Sequence, residues 1–308
     1  MAGPEFFTID VFADRPFQGA PIAVFPDAAA IPAALLPAIA GELNLSETVF
    51  LYPGVSADRF GVRVFAPGGE VEPAGHPLLA AAHALLVAGK VGPLGDRPLP
   101  LALAHDTGEI AVNLGPRRGA ACFVQFSLKV NAVIDRYGPT AAELAALLSL
   151  AERDLDSRSF GVRLASTGKP YLMVPVLDQA AVERARFDLE AWSRSSAPAL
   201  AAQEILLFSR RTDNRDADFH GRLLGPAIGP REDPPIGAAM PCFAGYLADH
   251  ETIREGTYTF AIDRGRADTR RSLLHIELDK RRDRPTQVRV GGDTVLVARG
   301  TLAIDLGS

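Results

Sequence analysis

Arg63-Val-Phe-Ala-Pro67, followed by Glu70, Glu72, Pro73, Ala74, Gly75, His76 and the apolar run Pro77 to Val87, is the stretch on which the fold turns. A second stretch has the same design: Arg222-Leu-Leu-Gly-Pro226, then Glu232, Asp233, Pro234, Pro235, Ile236, Gly237 and the apolar run Ala238 to Ala248. Each spells a strand, a proline turn, an acidic residue, a glycine and the start of a buried helix. A helix N-terminus offers unpaired backbone N–H groups and a partial positive charge. Two such ends facing each other would form a cleft suited to a carboxylate ligand. The expected organisation is two similar halves with a site between them.

Composition bounds this reading. The 308 residues allow one large or two ordinary domains, and with 47% apolar and 22% charged residues a sizeable core is available. A net charge of −5 without a dense Lys/Arg stripe argues against a nucleic-acid partner. The one basic run, Arg270-Arg271 with Lys280-Arg281-Arg282, is interspersed with Asp and is expected to be a solvated rim. Cys122 and Cys242 form no metal or redox motif. They are expected to be buried thiols in a reducing compartment, although sequence leaves a disulfide open. No signal peptide and no apolar run of membrane-spanning length is found, so a cytoplasmic protein with no membrane partner is expected.

Around the two stretches the chain alternates strand and helix signals without a low-complexity linker. Phe7 to Phe12, Pro21 to Phe25, Thr48 to Tyr52 and Arg59 to Phe65 are β-rich runs, and Ala33 to Leu43 carries apolar residues at helical spacing. Pro77 to Ala88 is apolar nearly all round, which predicts a fully buried helix. Thr140 with Glu143 predicts a capping box opening a helix over Ala141 to Ala151, and Asp178 is placed to cap another running toward Ala185. Further strands are expected at Leu101, Glu109 to Asn113, Cys122 to Leu128, Pro170 to Val176, Ile205 to Ser209, Asp218 to Leu224, Thr257 to Ile262 and Leu273 to Leu278. Val288 through Ile304 is expected to form a hairpin turning at Gly291-Gly292. This is not a βαβ alternation, so a Rossmann fold is not expected. The fold class is α+β, in two pseudo-symmetric domains, each a curved, mostly antiparallel sheet around a central buried helix. The boundaries fall at 1–130 and 131–297, with a last strand, about 298–308, packing back on the first domain.

Three residues could carry chemistry. Glu47 lies at a helix-to-strand transition beside apolar strand residues, a partly desolvated setting in which a carboxyl can take and return a proton. By spacing alone, its plainer reading is a turn carboxylate accepting backbone hydrogen bonds. His76 opens the first buried helix, where it could bond a substrate or simply satisfy orphan N–H groups. Asp233 precedes the second helix as a possible substrate anchor, or as an ordinary cap. There is no phosphate-binding glycine loop, no Gly-x-Ser-x-Gly elbow and no His/Cys/Asp cluster at metal spacing. Cofactor-free, metal-free acid–base chemistry is the catalytic option that these residues leave.

Taken in order, several motifs resemble the PhzF-like (phenazine biosynthesis) proteins of the diaminopimelate epimerase fold. They are Ile9-Asp10-Val11-Phe12, Pro16-Phe17-Gln18-Gly19, Glu42-Leu-Asn-Leu-Ser-Glu-Thr-Val-Phe50, Ala74-Gly75-His76-Pro77, and Glu232-Asp233 with Gly237. The resemblance covers nearly the whole chain. It implies two pseudo-symmetric halves with the site between them and a homodimer. It also implies that Glu47 is a proton shuttle, that His76 and Asp233 line the pocket, and that Gly75, Pro77, Ile236, Gly237 and Ala238 bind substrate. The best-known activity of the family is isomerisation of trans-2,3-dihydro-3-hydroxyanthranilate. Related epimerases use two cysteines, whose places are taken here by Ala74 and Ile236. Other departures are Ala20 where the family usually has Asn, and Pro73 where it has Phe. Ile236 and Ala238 stand in place of Thr and Ser, and Arg264 stands in place of Gln.

The resulting expectation is a cofactor-independent isomerase or epimerase that moves a proton on a small anionic carboxylate substrate. The alternative is a catalytically silent binding or interaction protein on the same scaffold. A remoter one is a hydrolase using Glu47 and Asp233 as a carboxylate pair.

Overall fold

A computed structural model describes residues 3–106, 108–229, 234–265 and 270–304. The chain divides into two compact units: Met1–Leu128 with Arg266–Leu273 and Val290–Ser308, and Lys129–Gly265 with Leu274–Arg289. Asp233 and Glu232 lie outside the described residues.

The first unit opens with β1 (Glu5–Val11) antiparallel to β2 (Ala20–Phe25). A 3-10 turn and α1 (Leu36–Leu43) then cross over to β3 (Thr48–Ser56), which lies parallel to β2. β3 pairs antiparallel with β4 (Arg59–Ala66), and the short β5 (Gly69–Val71) returns along β4. α2 (His76–Val87) makes the second crossover, to β6 (Leu99–His105), parallel to β4. β7 (Gly108–Arg118) and β8 (Ala121–Val130) extend the sheet antiparallel. Parallel neighbours cannot be joined by a tight hairpin, so both parallel pairs are bridged by helices.

In the second unit β9 (Val133–Asp135) precedes α3 (Ala141–Leu147), and β10 (Arg163–Ser166) pairs antiparallel with β11 (Pro170–Pro175). α4 (Gln179–Arg184) and α5 (Leu189–Arg194) cross over to β12 (Ile205–Ser209), parallel to β11. β12 pairs antiparallel with β13 (Phe219–Leu224), and α6 (Met240–Asp249) crosses over to β14 (Gly256–Arg264), parallel to β13. β15 (Ser272–Arg281) and β16 (Arg284–Thr301) follow. The latter part of β16 pairs with β1.

α2 is buried through ten successive residues, His76 to Leu85, and packs against β1, β2, β3 and β7. Its Ala80-Ala81-Ala82 run leaves room for close approach, while Leu78, Leu79 and Leu85 each contribute roughly 1.5–3 kcal/mol by burial. On the other side of β3, Phe50 stacks on Phe25 at 5.0 Å and meets Phe65 edge-on at 5.6 Å, in a cluster with Leu36, Ile39 and Ala40 of α1. The core of the second unit gathers Leu144, Leu147, Val174, Trp192 and Leu207. Among the described residues, no helix is long and apolar enough to cross a membrane.

Thr140 and Glu143 form the expected capping box, and Asp178 caps α4. α3 ends earlier than expected, at Leu147, because the chain turns through Ser149 in the left-handed region (φ 54°). The hairpin expected at Gly291-Gly292 is absent: β16 runs straight through both glycines. A Cβ at Gly291 would lie 2.7 Å from the Val124 carbonyl oxygen, and one at Gly292 would lie 2.6 Å from Phe12 Cδ1. These glycines permit close backbone approach rather than a turn.

Candidate active site

Glu47 owes its position to Asn44. α1 ends with Asn44 in the left-handed conformation (φ 48°), which asparagine tolerates, and two more residues deliver Glu47 to the start of β3. Side chains alternate along a strand, so Glu47 shares a face with Val49 and Leu51, opposite the Phe50 cluster. His76 is the first residue of α2. Its N-cap, Gly75, adopts φ 70° and ψ −128°, a conformation that only glycine adopts readily, and Pro77 fits the first turn because no N–H is needed there.

These two local structures bring His76 Nε2 to 2.5 Å from Glu47 Oε2, with the side chains only 5% and 19% exposed. The contact is close but not aligned as an ordinary hydrogen bond. Glu47 Oε2 and both ring nitrogens of His76 are buried without a hydrogen-bond partner. Thr48 Oγ1 and His83 Nδ1, also in this unit, share that condition. Burial pushes the His83 pKa down to about 4, helped by the charge of Arg117, so its imidazole is neutral at neutral pH. Buried polar atoms without partners are uncommon in folded proteins, and each calls for an explanation such as a catalytic or ligand-binding role.

Of the remaining expected site residues, Gly75 and Pro77 flank His76, whereas Ile236, Gly237 and Ala238 belong to the second unit. Ile236 and Gly237 are buried, and Gly237–Ala239 forms a 3-10 turn continuing into α6. Arg264, nearly buried, donates its Nε to the Pro234 carbonyl at 2.9 Å, fixing the segment just ahead of Ile236. Both cysteines are free and buried. Burial raises the Cys122 thiol to about 11 and also raises Cys242, which contacts Thr167 Oγ1 at 3.0 Å. Neither is poised as a thiolate nucleophile. Among the described residues, no three His, Cys, Asp or Glu side chains converge as metal ligands would.

One expectation needs correction. Arg270 is not part of a solvated rim, because its guanidinium pairs with the buried carboxylate of Asp10 and donates to the Gly19 and Gln18 carbonyls. Burial holds the Asp10 pKa above the ordinary aspartate value, with Arg270 opposing the shift. An ionisable residue inside the apolar run Phe7 to Phe12 was the available signal.

A family model described as phenazine biosynthesis-like protein, PhzC-PhzF, matches residues 9–300. The chain belongs to this family. A relative named as an uncharacterized isomerase of Mesorhizobium japonicum is 31% identical over 310 residues, covering 99% of this chain and all of the relative. The trans-2,3-dihydro-3-hydroxyanthranilate isomerase of Pseudomonas chlororaphis is 30% identical over 301 residues, covering 97% of this chain and 99% of that enzyme. The crystal structure of a Bacillus anthracis PhzF-family phenazine biosynthesis protein superposes with a TM-score of 0.86 over 99% of this chain and all of its own, at 21% identity. These likenesses fix a mixed α+β, sheet-dominated fold and place this PhzC-PhzF protein among isomerases.

Proposed function

We propose that the protein is a cofactor-independent isomerase that moves a proton between carbon atoms of a small carboxylate substrate, with Glu47 as the shuttling base and acid. The observation that carries this reading is the contact between Glu47 Oε2 and His76 Nε2, buried and otherwise without hydrogen-bond partners. Ionised Glu47 takes a proton from a carbon next to an activating group. The electron pair of that C–H bond passes into the conjugated system, and the protonated carboxyl returns the proton to another carbon. His76 orients the carboxyl and bonds the substrate. The Gly75 end of α2 stabilises anionic oxygen. The order of the family motifs supports Asp233, Ile236, Gly237 and Ala238 as further substrate-binding residues.

The named relative makes trans-2,3-dihydro-3-hydroxyanthranilate the first substrate to try. The matching order of strands and crossover helices in the two units supports pseudo-symmetric halves that divide near residue 130, with the end of the chain returning to the first. The family resemblance supports a homodimer, and two free thiols suit the cytoplasm. A second reading, binding without turnover, is favoured by the apolar Ile236 and Ala238, where a carboxylate would find no hydroxyl donors. Incubation with candidate substrates in heavy water separates the two readings. Wild type is expected to incorporate deuterium at carbon, and Glu47→Gln to bind without incorporation. Equal incorporation by Glu47→Gln would remove Glu47 from the chemistry.

A further inference from the structure

The two units repeat one another in strand register. In the first, Gly19-Ala20-Pro21 leads into β2, Pro21 lies two residues before Ala23, and Ala23 is level with Thr48 of β3. In the second, Gly168-Lys169-Pro170 leads into β11, Pro170 lies two residues before Leu172, and Leu172 is level with Ile205 of β12. Thr48 in turn pairs with Phe65, two residues before Pro67, and Ile205 pairs with Leu224, two residues before Pro226. Glu204, the residue before β12, therefore occupies the position of Glu47, and Lys169 occupies the position of Ala20.

The second unit gives its carboxylate a different partner. The residue after Gly237 is Ala238, where the residue after Gly75 is His76. Glu204 pairs with Lys169 instead, with the side chains 24% and 59% exposed, and the ammonium lies 5.3 Å from the centre of the Tyr171 ring. The pair is on the α6 side of the sheet. Glu204 alternates with Ile205 and shares a face with Phe208, whose ring meets Phe243 of α6 at 5.0 Å, whereas Ile205 and Leu207 join the Trp192 core. The turn at residues 167–169 is also tied to the beginning of α6. Cys242 Sγ donates to the Lys169 carbonyl at 3.3 Å and contacts Thr167 Oγ1 at 3.0 Å. Gly237 precedes Cys242 by a rise of roughly 9 Å through the 3-10 turn and the start of α6.

A partly exposed ion pair contributes little to stability, so the fold does not account for this one. Its two members also keep hydrogen-bonding capacity in reserve, since an ammonium has three donors and a carboxylate two acceptor oxygens. We propose that Lys169 and Glu204 form a ligand-binding pair of the second unit that takes the two charges of a zwitterion, a carboxylate that also carries an amine. Lys169 receives the ligand carboxylate and Glu204 its ammonium. A plain monoanion is disfavoured there, because Glu204 repels it. That the zwitterion is the substrate rests on the proposed substrate-binding role of the Gly237 turn; the binding pair itself depends neither on that turn nor on Glu47.

Calorimetric titration of the full chain with trans-2-aminocyclohexanecarboxylate, a zwitterion, and cyclohexanecarboxylate, its amine-free counterpart, tests it. Wild type is expected to bind the zwitterion about tenfold more tightly. Glu204→Gln is expected to abolish that preference by moving the probes in opposite directions, the zwitterion weaker and the monoanion stronger, each by about threefold. Lys169→Met is expected to weaken both by about fivefold without lowering the melting temperature. Gly237→Ala tests the turn separately. Weaker binding of both probes with the preference intact supports one ligand touching turn and pair, whereas unchanged binding would withdraw the turn and leave the pair. Equal wild-type affinity for the two probes, a Glu204→Gln variant that shifts both in the same direction or neither, or a Lys169→Met variant that binds both as wild type does would each overturn the assignment.

Discussion

Among the described residues, two buried histidine–carboxylate pairs, one in each unit, are opposites. In the second unit His220 Nδ1 and Asp263 Oδ1 lie 2.9 Å apart as an aligned hydrogen bond, with the side chains 3% and 0% exposed. Their strands hold them in register, since His220 faces Asp263 across β13 and β14. Thr212 donates a further hydrogen bond to the same carboxylate oxygen, and Asn214 N–H bonds Thr212 in turn. In the first unit His76 and Glu47 are closer, but neither is satisfied. The first pair ties strands together, whereas the second has unused hydrogen-bonding capacity at a helix end. Burial and charge alone therefore do not mark an active site; the marker is an unsatisfied buried group next to a place where a ligand can be held.

The largest expected contrast is catalytic. Glu47→Gln should lower carbon-bound deuterium incorporation by about 10³-fold, the usual range for removing a general base, while Asp263→Ala should leave the rate of its folded fraction within a few-fold of wild type. Stability should show the reverse. Asp263→Ala strands His220 in the interior and should cost about 3 kcal/mol in urea unfolding, whereas Glu47→Gln should be close to neutral. A large stability loss from Glu47→Gln would erase the distinction between the pairs.

His83 sharpens the contrast within the first unit. Its folded pKa of about 4 lies below the ordinary histidine value, so the unfolded chain takes up the proton first as pH falls. The stability it contributes is complete above about pH 6.5 and is lost as pH drops toward 4, by about 3 kcal/mol at most. His83→Leu should flatten that part of the urea-midpoint profile, and an unchanged slope would mean that other groups set it. A smaller effect, on the order of 1–3 kcal/mol, is expected for Gly75→Ala, because alanine cannot easily adopt φ 70° at the cap of α2. That substitution should weaken ligand binding more than Gly237→Ala if the α2 end is the chief anion contact, and calorimetry with benzoate would rank the two.

The sequence made part of this legible, for local reasons. α2 was readable because an unbroken apolar run after Gly-His-Pro has one economical outcome. Glu47 and His76 were readable as candidates because each sits at an element boundary within an ordered family motif. Their contact was not readable, since it depends on the alternation of β3 and the entry angle of α2. His220 and Asp263 went unseen because their pairing depends on the register of two parallel strands 43 residues apart. Arg270 looked like one more surface cation because its partner, Asp10, lies 260 residues away. Gly291-Gly292 was misread because a glycine pair looks the same whether it permits a turn or a close approach, and only the neighbouring Val124 and Phe12 decide.

The central claim is that Glu47 moves the proton. Mass-shift measurement of trans-2,3-dihydro-3-hydroxyanthranilate and related carboxylates incubated in heavy water, run side by side with wild type, Glu47→Gln and Asp263→Ala, tests it most directly. The expected result is incorporation by wild type and Asp263→Ala and none by Glu47→Gln. Incorporation by Glu47→Gln at the wild-type rate would contradict the account.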